Sequence, residues 1–185
     1  MKKDKTAGCE EVLCAGFGGQ GIMFMGKLLA QAALLEGKHV TWMPSYGAEV
    51  RGGTAHSMTK ISDGYIASPV ISNPTSCVVM NYQSLLKYEG KVREGGLLIA
   101  NRTLTEKAPK RRDIDIINIA MTDIASKLGN VRAANMVALG ALIKKRKMVS
   151  KKSVITALKD IMKDKEDLLA LNRKAFEKGY GMVRG

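Results

Sequence analysis

A short apolar run, EVLCA at 11–15, leads straight into Gly16-Phe17-Gly18-Gly19-Gln20-Gly21, and a long apolar stretch follows. A strand that turns on glycines into a helix opens a βαβ unit, and KHVTWM at 38–43 reads as its second strand. The helix expected over 21–36 carries Ile22, Met23, Phe24, Met25, Leu28, Leu29, Ala32, Ala33 and Leu35. Apolar residues cover nearly its whole surface, so it must be buried against a sheet. Gly37 stops it. The G-x-G-x-x-G spacing is also that of a dinucleotide-binding turn, where backbone N–H groups meet a pyrophosphate at the helix N-terminus. That reading needs Asp or Glu at the end of the second strand, about 20 residues on, to hold the ribose hydroxyls. Here the strand ends Thr41-Trp42-Met43-Pro44, with Glu36 too early and Glu49 beyond Pro44. The loop therefore reads as a tight turn with close helix–strand packing rather than as a nicotinamide site.

PSYGAEVRGG at 44–53 reads as a loop. TAHSMTKIS at 54–62 alternates as a half-exposed strand does, and Asp63-Gly64 signals a hairpin into YIASPV. SCVVM (76–80), LLIAN (97–101) and DIDIINIA (113–120) read as further strands, with a short helix in YQSLLKYEGKV between the first two. From 121 onward the text is helical, and Ser150 is placed to cap one of the helices. The expectation is an α/β fold: three layers, α/β/α, a mostly parallel mixed sheet and a helical C-terminal part, as one domain over residues 1–185.

Composition narrows the function. Cys9, Cys14 and Cys77 are an odd set with no C-x-x-C pair, which points to a reducing cytoplasm and leaves too few thiolates for a cubane cluster. His39 and His56 are too few for a histidine-rich metal site. MKKDKTAGCEE lacks the apolar core of a signal peptide, and no apolar run reaches the ~20 residues of a membrane span. The net charge of +13 is lopsided: residues 1–100 hold 10 Lys and Arg against 8 Asp and Glu, residues 101–185 hold 20 against 9. Such a half suits an acidic partner, an anionic ligand or nucleic acid, or is a solvated face. Nucleic acid fits poorly, because the basic clusters PKRR (109–112) and KKRK (144–147) contain no stacking aromatics.

SYGAEVRGGTA at 45–55 places Tyr46, Glu49 and Arg51 within six residues, among Gly47, Gly52 and Gly53. A guanidinium fork suits a carboxylate or phosphate, either Glu49 in the same loop or a ligand or partner. Asn135 lies in the apolar helix AANMVALGALI, where a buried amide must find partners. It ties that helix to the glycine loop or to another chain, or it is a satisfied core residue.

GFGGQG followed by SYGAEVRGGTA, then SPVISNPTSCVVMN, EGGLLIANRTL, GNVRAANMVALGALI and LLALNRKAFEKG, resembles the gamma subunit of 2-oxoacid:ferredoxin oxidoreductases from about Glu11 to Gly179. The 2-oxoglutarate and branched-chain 2-oxoacid branch is the most similar. The chain has Ala48 where members often have Pro, and Thr75 where they often have Asp. The resemblance implies a gamma-type unit of a cytoplasmic complex that decarboxylates a 2-oxoacid, joins the acyl group to coenzyme A and passes two electrons to ferredoxin. It implies that thiamine diphosphate, Mg and the iron–sulfur clusters belong to alpha and beta subunits, and to a delta subunit where one exists. This chain would bind no cofactor alone, having no GDG pattern (Ser62 precedes Asp63-Gly64). Gly18, Gly19, Gln20, Gly21, Tyr46, Glu49, Arg51, Gly52, Gly53 and Asn135 would then be binding or subunit-interface residues, with no catalytic residue and no metal ligand. The competing readings are a stand-alone Rossmann-type oxidoreductase and a basic nucleic-acid-binding module.

Overall fold

Six strands form one sheet in the order β2-β3-β1-β4-β5-β6. They are β1 (Glu10–Phe17), β2 (His39–Tyr46), β3 (Thr54–Ser62), β4 (Ser76–Val79), β5 (Leu97–Asn101) and β6 (Asp115–Ile119). The computed structural model describes residues 8–47 and 53–184. β3 runs antiparallel to both its neighbours, β1 and β2, while β1, β4, β5 and β6 pair in parallel. β1 and β2 therefore point the same way, as the βαβ pattern requires, but β3 lies between them.

Successive side chains of a strand face opposite sides. Val12, Cys14, Val78, Leu97 and Ile99 face one layer of helices, and Leu13, Ala15, Cys77, Val79, Leu98 and Ala100 face the other. Burial on both faces is why these strands read as unbroken apolar runs. The thick layer holds α1 (Ile22–Leu35), α3 (Met121–Lys127), α4 (Ala134–Arg146), α5 (Lys151–Ile161) and α6 (Glu166–Gly181). The thin layer holds α2 (Tyr82–Tyr88), which buries Leu85 and Tyr88. The expected α/β/α layering and mostly parallel sheet are what the chain adopts. Ser150 caps α5 as its position predicts, its Oγ accepting the Ser153 N–H at 3.0 Å.

Two local expectations are corrected. β2 continues through Pro44 to Tyr46 instead of ending at Met43. The Gly47 N–H donates to the Thr54 carbonyl at 2.7 Å, so odd-numbered residues of β2 turn their N–H toward β3 and Pro44 turns its ring nitrogen to the open edge. There proline costs no ladder bond and blunts the edge against further pairing. The hairpin expected after Asp63-Gly64 does not form, and residues 65–70 are not a strand. Both edges of β3 are already taken, by β1 and β2, so no place is left for another partner. The true hairpin joins β2 to β3.

Thr75 fastens the start of β4 to β1. Its Oγ1 accepts the Glu11 N–H and donates to Glu10 Oε2, both at 2.9 Å. The KKRK cluster is largely used inside the chain. Lys144 lies over the Tyr180 ring, Lys145 pairs with Asp115 at 3.2 Å, and Arg146 donates to Ser76 Oγ and to the Thr75 carbonyl at 2.9 and 3.0 Å.

α4 is buried continuously from Ala134 to Ile143. It can be, because α6 approaches it backbone to backbone: a Cβ on Gly140 would meet the Phe176 carbonyl, and one on Gly179 the Val137 carbonyl. Backbone cannot give way as a flexible side chain can. Gly140→Ala and Gly179→Ala should each destabilise the chain by about 2–3 kcal/mol or more, the scale of overpacking a core. Gly90→Ala, into open space, should change stability by less than about 0.5 kcal/mol. Chemical denaturation of the three variants checks this.

Candidate functional site

The glycine loop sits at the carboxyl ends of β1 and β4, where the chain leaves β1 for α1 on one face and β4 for α2 on the other. In open α/β sheets this crevice is the ordinary ligand site. Here a side chain of the loop itself bridges it. Gln20 folds back so that its Oε1 accepts the Phe17 N–H at 2.7 Å and the Asn81 Nδ2 at 3.1 Å. Asn81, next to the end of β4, also caps α2 by accepting the Ser84 N–H at 2.9 Å. One strand further on, buried Asn101 donates to the Met80 carbonyl and to Thr122 Oγ1, at 3.2 and 2.8 Å, and accepts the Met121 N–H at 3.1 Å. Neutral amides thus lock the crest of the sheet.

Gly21 caps α1 in the left-handed region at φ 72°, and Gly19, exposed, has φ 99°. The first helical bond of α1 is Met25 N–H to the Gly21 carbonyl. The N–H groups of Ile22, Met23 and Phe24 therefore precede the helical ladder, with neither a side-chain cap nor an acidic residue in the first turn. Asn135 reaches this turn from α4, its Nδ2 donating to the Gly21 carbonyl at 3.2 Å. Its Oδ1 is buried without a partner among the described residues. The residue is thus a tie between helix and glycine loop and not a fully satisfied core amide.

The second loop meets the first. The Gly18 N–H donates to the Gly53 carbonyl at 2.9 Å, which brings the two glycine-rich segments together. Tyr46 stands at the end of β2, 55% exposed. Glu49, Arg51 and Gly52, with Ala48, lie outside the described residues. Two hollows flank Gly19. One, of about 150 Å³, is lined by Gln20, Met80, Leu104, Thr122 and Arg132. The other, of about 270 Å³, is lined by Gly21, Phe24, Arg132, Asn135 and Leu168. Arg132 is the one charged side chain lining either hollow, and it makes no ion pair among the described residues. Leu104, Val131 and Leu168 stay 39%, 54% and 41% exposed around it. A free helix start, one cation and an apolar rim can bind an anion or a protein surface. They offer no nucleophile or general base.

Sequence reasoning missed Asn81, Asn101 and Arg132. Asn81 stands between a buried strand and a helix, which is a capping signal, whereas Asn101 ends the buried strand β5 with no helix after it to mark its role. Arg132 follows Asn130, whose Oδ1 accepts the Arg132 N–H at 3.0 Å in a short turn before α4. Nothing in its spacing marks it.

Among the described residues no three His, Cys, Asp or Glu side chains converge as a metal site. Burial pushes the Cys14 thiol up to about 12, and burial followed by the Cys14 charge pushes Cys77 well above its ordinary value, so neither is poised as a thiolate. Among the described residues no helix is long and apolar enough to cross a membrane.

Residues 11–182 match the family described as pyruvate ferredoxin/flavodoxin oxidoreductase. The chain belongs to that family. Among its relatives is the 2-oxoglutarate synthase subunit KorC of Methanocaldococcus jannaschii, 37% identical over 100% of this chain and 99% of that protein. The ketoisovalerate oxidoreductase subunit VorA of Methanothermobacter marburgensis is 36% identical over 94% of this chain, which spans only 36% of VorA. Two solved members share the fold. The gamma subunit of the keto/oxoacid ferredoxin oxidoreductase of Geobacter sulfurreducens has a TM-score of 0.81 and 31% identity, over 93% of this chain and 96% of that one. The 2-oxoglutarate:ferredoxin oxidoreductase of Magnetococcus marinus, solved with 2-oxoglutarate, coenzyme A and succinyl-CoA, has a TM-score of 0.86 and 25% identity, over 95% of this chain and 32% of that one.

Two experiments test the geometry of the glycine loop. A Cβ at Gly21 would strike Asn135 Nδ2 and would sit on left-handed backbone. Gly21→Ala should cost about 3 kcal/mol, and Gly21→Ala with Asn135→Ala at least about 1 kcal/mol less than the sum of the single changes. The left-handed strain stays in the double variant, and denaturation of all four species measures the coupling. Calorimetric titration with NAD(H), NADP(H) and FAD should give no stoichiometric micromolar binding. With β3 inserted, the end of β2 stands two strand spacings, about 10 Å, from β1, and Gln20 fills the crevice.

Proposed function

We propose that this chain is the gamma subunit of a 2-oxoacid:ferredoxin oxidoreductase, one gamma-type unit over 1–185 working in the cytoplasm. The single observation that carries the reading is the end-to-end correspondence with a 2-oxoglutarate synthase subunit. The nearly full-length likeness to a solved gamma subunit supports it. The substrate class is a 2-oxoacid, 2-oxoglutarate or a branched-chain acid, the two named for the relatives. The complex converts the acid and coenzyme A to acyl-CoA and carbon dioxide, and two electrons pass to ferredoxin.

Thiamine diphosphate, Mg and the clusters belong on alpha, beta and, where present, delta subunits. The described residues of this chain do not fit a cluster or a metal: Cys14 and Cys77 are buried on opposite faces of the sheet, and no three His, Cys, Asp or Glu side chains converge among them. The part assigned to this chain is to pack against the thiamine subunits and to complete the route of coenzyme A. Gly18, Gly19, Gln20, Gly21, Tyr46, Gly53 and Asn135 form or brace that surface, and Glu49, Arg51 and Gly52, outside the described residues, are assigned to it by the family resemblance alone. The joined loops and Arg132 beside the start of α1 support the assignment, because they offer donors to an anion and an apolar rim to a chain.

Reconstitution tests the proposal. The chain alone should oxidise no 2-oxoacid and show no iron–sulfur absorbance, and it should co-purify with alpha and beta chains. Omitting it from a mixture of those chains should abolish acyl-CoA formation. Full turnover without it would overturn the assignment.

A further inference from the structure

A third hollow lies at the opposite end of the sheet from the glycine loop. About 480 Å³ in volume, it opens between the start of β1, the end of β3, the segment 64–68 and Arg93. Among the described residues Glu11 is the one carboxylate lining it, and both its oxygens are engaged: Oε1 with Lys60 Nζ at 2.8 Å, Oε2 with Arg93 Nη2 at 2.6 Å. Two cations on one carboxylate leave an excess positive charge. The Lys60 side chain is only 12% exposed, so its ammonium has little water around it. It has three N–H donors and spends one on Glu11.

The hydroxyls lining the hollow are turned the same way. Ser62 Oγ accepts the Gly64 N–H at 3.1 Å, and Ser68 Oγ accepts the Val70 N–H at 3.2 Å. Each keeps its own proton free to donate, and Ser62 is buried. The polar side chains here are therefore donors, apart from a carboxylate already held on both oxygens. Tyr65, 86% exposed, stands at the rim with Ile66 and Ala67 beside it. Donors converging beneath an apolar and aromatic rim fit a ligand with an anionic head and an apolar or planar body.

We propose that this hollow is a binding site for a small organic anion with a carboxylate or phosphate head. The head is held by Lys60, Arg93, Ser62 and Ser68, and the body lies along Tyr65. The site is separate from the glycine loop, which lies past the other end of β1, and does not depend on the subunit assignment.

Amide NMR of the full chain, titrated with benzoate, phenyl phosphate and neutral benzyl alcohol, tests it. Saturable shifts confined to Lys60–Ser68 and the start of β1 are expected with at least one anion. The tighter of the two anions identifies the head. Benzyl alcohol should bind at least about tenfold more weakly, because it lacks the charge. Lys60→Gln should raise the dissociation constant about tenfold, and so should Arg93→Gln, whose half-exposed side chain can be changed without opening the core. Shifts that fail to saturate, that spread over the basic surface, that benzyl alcohol reproduces, or that Arg93→Gln leaves unaltered would overturn the site.

Discussion

The antiparallel strand β3, inserted between β1 and β2, is the constraint from which the rest of the molecule follows. An ordinary βαβ start would lay β2 beside β1 and open a crevice for a nucleotide spanning both strand ends. With β3 paired to both along its full length, from Phe17 opposite Thr54 to Glu10 opposite Ile61 on one side, the strands that would share a cofactor are held apart. The same insertion starts β3 beside the end of β1, and there the Gly53 carbonyl accepts the Gly18 N–H, so that residues distant in sequence meet at the glycine loop.

What occupies the crest is mostly neutral. Gln20 and Asn81 bind backbone and each other, Asn101 binds backbone and Thr122, and Asn135 closes the α1 side. A carboxamide both donates and accepts, so a few of them can satisfy loops and caps without bringing in a charge that an approaching anion would feel. Among the described residues Arg132 is then the one side-chain charge lining the hollows beside Gly19, and the unladdered N–H groups of α1 add a partial positive charge of their own. A nucleotide-binding crevice is kept open by glycines. This one is braced by glutamine and asparagine, and its exposed part is a rim of Leu104, Val131 and Leu168. Bracing suits a surface that must keep its shape when another chain docks.

The elements were legible where burial alone decides them. β1, β4 and β5 show as apolar runs, α1 as an apolar helix behind glycines, and α5 by its serine cap, because local composition carries each signal. Strand order was not legible, since periodicity states which side chains are buried and says nothing about which strand is a neighbour. The misplaced hairpin at Asp63-Gly64 is a case in point: the turn chemistry was present, but both edges of β3 were filled. The contact of Gly140 and Gly179 was equally hidden, because each looks like an ordinary helix-weakening glycine until α4 and α6 are laid together. Of the site, Asn135 was visible as a polar residue in apolar text, and Gln20 entered only as part of the glycine-loop motif. The tie from Asn135 to Gly21 needed the fold, and family membership rested on the paired loop motifs rather than on any single residue.

The charge asymmetry changes meaning once its partners are known. KKRK at 144–147 reads in sequence as a patch offered to an acidic surface. Folded, Lys144 lies over Tyr180 with Lys151 at 5.1 and 5.5 Å from the ring centroid, Lys145 meets Asp115, and Arg146 ties α4 to the first residues of β4 and to Glu10. Arg146 in particular acts as a strut, because its guanidinium satisfies the Thr75 carbonyl and the Ser76 hydroxyl at the very start of a buried strand. Cations engaged inside the chain keep their charge but are held in place, so counting them overstates how many side chains are free to reach a partner. Around the glycine loop Arg132 is a cation with no ion pair among the described residues. One uncommitted guanidinium beside a free helix start discriminates an anion by position, where a diffuse basic face would attract every anion alike.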